Sequence, residues 1–149
     1  MPAMRDPDCR FCAIVAGEEE AAHVVFEDDT SLAFLDHRPL FPGHCLLVPR
    51  DHHETLAELP RELLEPLFAA AQLLSRAIPD AMGKPGSFVA MNNVVSQSVP
   101  HLHVHVVPRR PKDGLRGFFW PRRKYDSEEH MTEVAETLRA TIAMIRDGD

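Results

Sequence analysis

Apolar and polar positions alternate most regularly in the run His-Leu-His-Val-His-Val-Val at residues 101–107. A period of two predicts a β-strand, on which successive side chains point to opposite faces. The pattern predicts a strand over 101–108, with His101, His103 and His105 on one face and apolar side chains on the other. Three imidazoles on one face are costly in a packed sheet, which favours chemistry or metal binding over a purely structural role.

Other apolar runs are short and bounded by turn residues, which predicts further strands. These strands are expected at residues 23–27, 31–36, 45–48 and 88–91. With few helices placed to make parallel crossovers, the order of elements predicts an α+β fold with an antiparallel sheet.

Helical periodicity appears in two long segments. Apolar residues recur at a spacing of about 3.6 over 61–77, and a short helix is expected at 11–16. A last helix is expected after Asp126, which with Glu129 can cap it. The apolar stripe of that helix is typical of a core or dimer contact and comprises Met131, Val134, Leu138, Ile142 and Ile145.

Length and composition fit one domain of 149 residues, with 44% hydrophobic residues. The three cysteines suit a reducing compartment, and the charged N-terminal residues do not have the pattern of a signal peptide. A cytoplasmic location is expected. No membrane partner is expected, because no apolar run approaches the roughly 20 residues that a membrane span needs. The net charge of −7 argues against nucleic acid as a partner. The exception is the segment 109–124, which has seven basic residues and one acidic residue. It is either a solvated loop or a contact for a phosphate-rich ligand.

A neutral imidazole is a good nucleophile near neutral pH, and attack on phosphorus would give a covalent nucleotidyl-histidine. Neighbouring histidines can donate hydrogen bonds to the phosphate oxygens, where charge develops. The alternative is a metal site, since two histidines separated by one residue on a strand can bind one ion.

Residues 101–107 also match the alternating signature of the histidine triad superfamily, and the preceding Gln97-Ser98-Val99-Pro100 resembles its lead-in. Further blocks resemble the family over about residues 9–110: Phe11 to Glu18, Phe34-Leu35-Asp36, Pro42-Gly43-His44 and Val48-Pro49-Arg50. The resemblance implies a five-stranded antiparallel sheet with two main helices, commonly in a homodimer, to which this chain adds a C-terminal helix. The expected organisation is a single domain over 1–149, with its core at about 9–110 and an added segment at 111–149.

The resemblance implies nucleotidyl hydrolase or transferase activity on a nucleotide bonded through its α-phosphate. His103 would be the nucleophile, His105 a phosphate-binding partner and Ser98 a contact to the phosphate or leaving group. Asp36 would accept hydrogen bonds from the ribose. Asn92 or Asn93, with Gln97, would contact the substrate. His105 favours the hydrolase branches, because the transferase branch carries glutamine there.

Cys9 and Cys12 form a Cys-x-x-Cys pair, which alone is ambiguous between redox use, metal binding and coincidence. Some histidine triad proteins bind zinc through such a pair with two histidines, and the matching positions are His52 and His101. His53 is the alternative third ligand. Four protein ligands would make this zinc structural.

Two segments depart from the family pattern. The loop Val94-Val95-Ser96 is about two residues shorter than usual, which leaves the leaving-group preference open. Phe118, Phe119 and Trp120 either pack against the last helix or stack on a base.

The favoured interpretation is a nucleoside phosphate hydrolase acting on dinucleoside polyphosphates or nucleoside phosphoramidates, with the basic segment favouring the polyphosphates. One alternative is a nucleotide-binding regulatory protein with little turnover. The other is a metal-dependent hydrolase with His101, His103 and His105 as ligands.

Overall fold

Five strands form one antiparallel sheet in the computed structural model, which describes residues 4–19, 22–116 and 122–148. The strands are β1 (Val24–Glu27), β2 (Ser31–Leu35), β3 (Cys45–Pro49), β4 (Gly86–Ala90) and β5 (Val104–Arg109). They lie in the order β1-β2-β3-β5-β4, so β5 pairs with both β3 and β4. The predicted α+β class and five-stranded antiparallel sheet are confirmed.

Three α-helices accompany the sheet: α1 (Arg10–Val15), α2 (Leu64–Met82) and α3 (Glu128–Gly148). Short 3-10 turns at Leu56–Glu58 and Arg61–Leu63 precede α2. The helix predicted over 61–77 therefore begins later and ends five residues further on. It ends at Gly83, whose positive φ of 64° lets the Lys84 N–H reach the Pro79 carbonyl.

The two faces of the sheet are covered by different helices, as the alternation along the strands requires. One core contains Ala33, Leu47, Val104 and Val106 packed with the buried side of α2. The other contains Leu32, Phe34, Leu46 and Val48 packed with α1. Because His105 lies opposite Leu46 in the ladder between β3 and β5, its side chain is on the α1 face.

The strand predicted over 101–108 starts only at Val104. The Leu102 N–H donates to the carbonyl of His53 (2.7 Å) instead of a neighbouring strand, so the ladder does not extend back to His101. The imidazole rings nevertheless follow one another closely, with the His103 and His105 centroids 5.1 Å apart.

Residues 1–113 and residues 114–149 form two compact units. The first holds the sheet, α1 and α2, and the second holds α3, so the single domain expected over 1–149 stays a prediction. The segment Phe118 to Trp120 lies outside the described residues. None of the helices that the structure describes is long and apolar enough to cross a membrane.

The start of α3 differs from its prediction. Ser127, rather than Asp126, caps the helix: its Oγ accepts the His130 N–H at 3.0 Å. In the predicted stripe, Met131, Leu138, Ile142 and Ile145 are exposed.

Leu47 is fully buried (0% exposed) in the core between the sheet and α2. We expect Leu47→Ala to lower the free energy of unfolding by about 2–5 kcal/mol, because transfer energy is lost and a cavity remains. Leu73 on α2 is 50% exposed, so the control Leu73→Ala should cost clearly less. Urea denaturation measures both, and equal losses would contradict this packing.

Candidate active site

A cavity of about 840 Å³ lies between α1 and the α1 face of the sheet. Its apolar wall contains Phe11, Ile14, Phe34 and Leu46. The lining also includes four predicted site residues, Asp36, Ser98, His103 and His105, and two arginines that the sequence analysis did not single out, Arg10 and Arg38. The cavity therefore combines an apolar wall with the imidazoles of His103 and His105 and two cationic side chains.

His103 is buried and its ring is fixed by a backbone acceptor. Its Nδ1 lies 2.8 Å from the His101 carbonyl oxygen. A carbonyl can only accept, so Nδ1 carries the hydrogen and the neutral ring keeps its lone pair on Nε2. Phe11 packs edge-on against the ring, with centroids 5.1 Å apart. His103 thus has a nucleophilic nitrogen in a restrained ring on the cavity wall.

The protonation of His105 is set through His44. The Leu40 N–H donates to His44 Nδ1 (3.0 Å), so the hydrogen of the neutral His44 ring is on Nε2. That atom lies 2.9 Å from His105 Nδ1. His105 Nδ1 therefore accepts, and its Nε2–H remains a donor suited to a phosphate oxygen.

His44 also belongs to the site, although no chemical role was predicted for it from the sequence. It is buried and precedes β3, and its partner His105 is 61 residues away, so no local pattern indicates the contact. Gly43 enables this placement. Its φ is +98°, and a Cβ there would lie 2.7 Å from Met82 Cγ.

Burial keeps the rings of His105 and His44 neutral. Desolvation, with smaller contributions from His103 and His44, lowers the pKa of His105 to about 4. Burial likewise lowers the pKa of His44, while the carboxylate of Asp36 opposes the shift. Asp36 Oδ2 is 3.7 Å from His44 Nε2, and its Oδ1 accepts the Arg38 N–H at 2.9 Å.

Three predicted substrate contacts lie outside the cavity lining, and their side chains bond to the protein itself. Asn93 Oδ1 accepts the Leu56 N–H (2.8 Å), and Asn92 Nδ2 donates to the Ser96 carbonyl (3.3 Å). Gln97 uses both ends of its amide in the same way. The structure thus brings Asp36, Ser98, His103 and His105 together but not the amides.

The four predicted metal ligands, Cys9, Cys12, His52 and His101, offer donor atoms that all lie within 4.8 Å of one another. His101 Nε2 donates to the Pro49 carbonyl (2.8 Å), which leaves the Nδ1 lone pair toward the Sγ atoms of Cys9 (3.4 Å) and Cys12 (3.6 Å).

His52 Nδ1 lies 3.3 Å from Cys12 Sγ, which favours His52 over His53 as the third ligand. On the outer side of the His52 ring, Nε2 is 3.8 Å from an Asp6 carboxylate oxygen and 3.9 Å from one of Glu54. Two thiols and two imidazoles fit a closed tetrahedral zinc site, and carboxylates behind a ligating histidine are its usual support.

The geometry does not favour the alternative in which His101, His103 and His105 bind one ion. His101 directs its lone pair to the thiols, and His105 Nδ1 faces the His44 N–H. Asp36, His44 and His105 also lie together, but the backbone bond to His44 Nδ1 keeps a proton on the nitrogen that would have to bind the ion.

Comparison with known proteins shows the family to which the chain belongs. The HIT domain family model matches residues 17–112, and the chain therefore belongs to the histidine triad (HIT) family. Adenylylsulfatase HINT3 of Arabidopsis thaliana is 36% identical over 72% of this chain, which spans only 55% of that protein. Adenosine 5'-monophosphoramidase HNT1 of Saccharomyces cerevisiae is 30% identical over 86% of this chain and 79% of its own length.

Solved structures share the fold. SMU.412c from Streptococcus mutans has a TM-score of 0.80 at 31% identity, covering 93% of this chain and 87% of its own. A zinc-bound histidine triad family protein from Mycobacterium smegmatis has a TM-score of 0.68 at 35% identity, covering 95% and 98%.

The low pKa of His105 predicts acid destabilisation. Between pH 6.5 and about 4 the unfolded chain binds a proton at this residue that the folded protein does not. The free energy of unfolding should therefore fall as the pH is lowered through this window, by about 2 kcal/mol at pH 5 for this ring alone. Urea denaturation at pH 7, 6 and 5 measures the slope. His105→Gln should flatten it and His130→Gln, on α3, should not; equal slopes in all three proteins would contradict the assignment.

Proposed function

We propose that the protein is a nucleotidyl hydrolase or transferase that works through a nucleotidyl intermediate on His103. The observation that carries the proposal is the bond between His103 Nδ1–H and the His101 carbonyl, which reserves the Nε2 lone pair for attack. HIT-family relatives named as an adenylylsulfatase and an adenosine monophosphoramidase support hydrolysis at the α-phosphate of a nucleotide.

In the first step, His103 Nε2 forms a bond to the α-phosphorus while the bond from phosphorus to the leaving group breaks. The leaving group takes up a proton, for which the Ser98 hydroxyl is a suitable donor or relay. The imidazole gains positive charge in this step, and the His101 carbonyl stabilises that charge through Nδ1–H. The His105 Nε2–H donates to a non-bridging oxygen, where negative charge accumulates.

In the second step, water attacks the phosphorus of the nucleotidyl-histidine, and the bond from Nε2 to phosphorus breaks. One proton of the water replaces, at Ser98 or in solvent, the proton that the leaving group took up in the first step. The nucleoside monophosphate leaves and His103 returns to its neutral form. An acceptor other than water would make the same intermediate a transferase.

The remaining cavity residues fit the rest of a nucleotide. Phe11, Ile14, Phe34 and Leu46 offer an apolar slot for a base, and the Asp36 carboxylate can accept hydrogen bonds from ribose hydroxyls. Arg10 and Arg38 supply the positive charge that an anionic substrate requires.

Both candidate substrate classes, nucleoside phosphoramidates and dinucleoside polyphosphates, remain in the proposal. In the basic segment, Arg109 pairs with Asp113 and Arg110 bonds to neighbouring carbonyls, so these two arginines add little support for the polyphosphates. A homodimer is part of the proposal too, and the exposed apolar residues of α3 suit a protein contact.

His103→Ala should abolish both turnover and covalent labelling while leaving nucleotide binding measurable. The assay offers diadenosine polyphosphate or an adenosine phosphoramidate, without added metal, and follows AMP release with the intact mass of the quenched protein. His130→Ala, a change in α3, is the matched control. Substantial turnover in His103→Ala would exclude this mechanism. Binding without turnover in the unchanged protein would instead favour a nucleotide-binding regulatory role.

We further infer that Cys9, Cys12, His52 and His101 hold a structural zinc ion. When bound, the ion would cross-link α1 to the segments before α2 and before β5, and so restrain His101. The related zinc-bound protein from Mycobacterium smegmatis and the donor set of this cluster support this inference.

Cys12→Ser should lower the zinc content of the purified protein and its melting temperature, because a ligand to the ion is lost. Cys45→Ala is the control: Cys45 is also buried but lies on the α2 face, and burial raises the pKa of its thiol to about 11. Elemental analysis that finds one zinc per chain in both variants, or none in the unchanged protein, would refute the zinc site.

A further inference from the structure

The loop between β4 and β5 contains a strained backbone turn. Val94 has a φ of +69° and Ser96 a φ of +62°. The Val95 N–H donates to the Asn93 carbonyl (2.8 Å), which closes a three-residue γ-turn centred on Val94. A γ-turn with positive φ is rare and strained, and a β-branched residue is among the least suited to that conformation.

Burial does not compensate for this strain. Val94 is 74% exposed and Val95 is 78% exposed, so neither side chain gains from packing within the first unit. Strain of this kind persists only where surrounding contacts impose it, and it concentrates at functional sites.

The contacts that impose the turn come chiefly from Gln97. Its Oε1 accepts the Val94 N–H (3.1 Å), and its Nε2 donates to the Glu54 carbonyl (2.6 Å). One side chain thus joins the strained residue to the segment before α2. Asn93 ties the same loop to Leu56 (2.8 Å).

Ser98 follows this turn and Gln97 along the chain, and it lines the cavity together with His103. On its other side, Val99 packs against the core beneath α1, and the Leu102 N–H bonds to the His53 carbonyl (2.7 Å). Ser98 is therefore held between two attachments to residues 53–56, and Gln97 provides the nearer one.

We propose that Gln97 is a positioning residue: it holds the strained Val94 turn and thereby places the Ser98 hydroxyl against the leaving group. This inference rests on the proposed function, and it assigns Gln97 a role in place of the substrate contact predicted from the sequence. Each end of its amide bonds to a protein atom and Gln97 lies outside the cavity lining, so its proposed action on the reaction is through Ser98.

The strain makes the role of Gln97 depend on the residue at position 94. With valine there, loss of the Gln97 amide lets the turn relax to an ordinary conformation and moves Ser98. Glycine adopts positive φ without steric cost, so in Val94→Gly the turn should keep its shape with or without Gln97. The two positions should therefore be energetically coupled.

A double-mutant cycle tests this coupling through kcat, KM and the melting temperature. Gln97→Ala should lower kcat by about 10- to 100-fold with little change in KM, the scale expected when a reacting group is misplaced by about 1 Å. In the Val94→Gly background the same change should lower kcat by less than about threefold. It should lower the melting temperature by more than it does beside valine, where relief of strain offsets part of the lost hydrogen bonding.

Two controls separate positioning from general loosening of the loop. Val95→Gly adds the same backbone freedom next to the turn without relieving strain, so it should not rescue Gln97→Ala. In a Ser98→Ala background, Gln97→Ala should cause no further loss of kcat, because the group that it positions is gone.

The possible outcomes distinguish the strained turn, the positioning of Ser98 and the proposed function. If the effects of Val94→Gly and Gln97→Ala on the melting temperature are additive, the inference that Gln97 holds a strained turn is overturned. This measurement needs no substrate. Coupled stability with unchanged kcat in Gln97→Ala would overturn the positioning of Ser98. If the unchanged protein shows neither substrate turnover nor covalent labelling, the proposed function fails. Coupled effects on the melting temperature would still support the inference that Gln97 holds the strained turn.

Discussion

The hydrogen bond from His103 Nδ1–H to the His101 carbonyl is the interaction on which the site depends. It selects the tautomer that leaves a nucleophilic Nε2, and it supplies an acceptor for the proton of the imidazolium that attack would create. His101 can serve in this way only because its own ring is held by the Pro49 carbonyl on one side and by two thiols on the other. The Cys/His cluster and the nucleophile thus share one residue.

The position of β5 in the sheet determines on which face each of its side chains lies. Because β5 lies between β3 and β4, alternate residues of β5 are buried on the α2 face, and His105 is carried to the α1 face opposite Leu46. The helix α1 covers one side of the site, where Phe11 packs against the rings of His101 and His103. Cys9 and Cys12 lie close to His101 and to His52, in the segment before α2. The packing that holds α1 in place also covers the rings of His101 and His103, and burial of His105 in the same site keeps that ring neutral.

Much of this could be predicted from the sequence, but only where information is local or where a family resemblance supplies it. The period of two in residues 101–107 correctly predicts that the three imidazoles belong together, although the ladder starts at Val104 because Leu102 bonds to the loop before α2. His44 was missed because its partners are the Leu40 N–H and a histidine 61 residues away, and neither contact produces a periodic pattern in the sequence. Gln97 illustrates a different limit. Its amide indicates hydrogen bonding, but only the folded loop shows that its partners belong to the protein.

Backbone groups set the protonation pattern around the reacting centre. The Leu40 N–H fixes His44 and, through it, His105; the carbonyls of His101 and Pro49 fix His103 and His101. Amides and carbonyls do not titrate near neutral pH and are not removed by side-chain substitution, so the fold itself maintains this pattern. The exception is His101 Nδ1, which faces two cysteine side chains rather than the backbone. Since burial raises the pKa of the Cys12 thiol, that nitrogen faces a protonated Cys12 sulfur without a cation and a Cys12 thiolate with one. A metal ion would therefore change the charge next to His101 without altering the hydrogen bond that prepares His103.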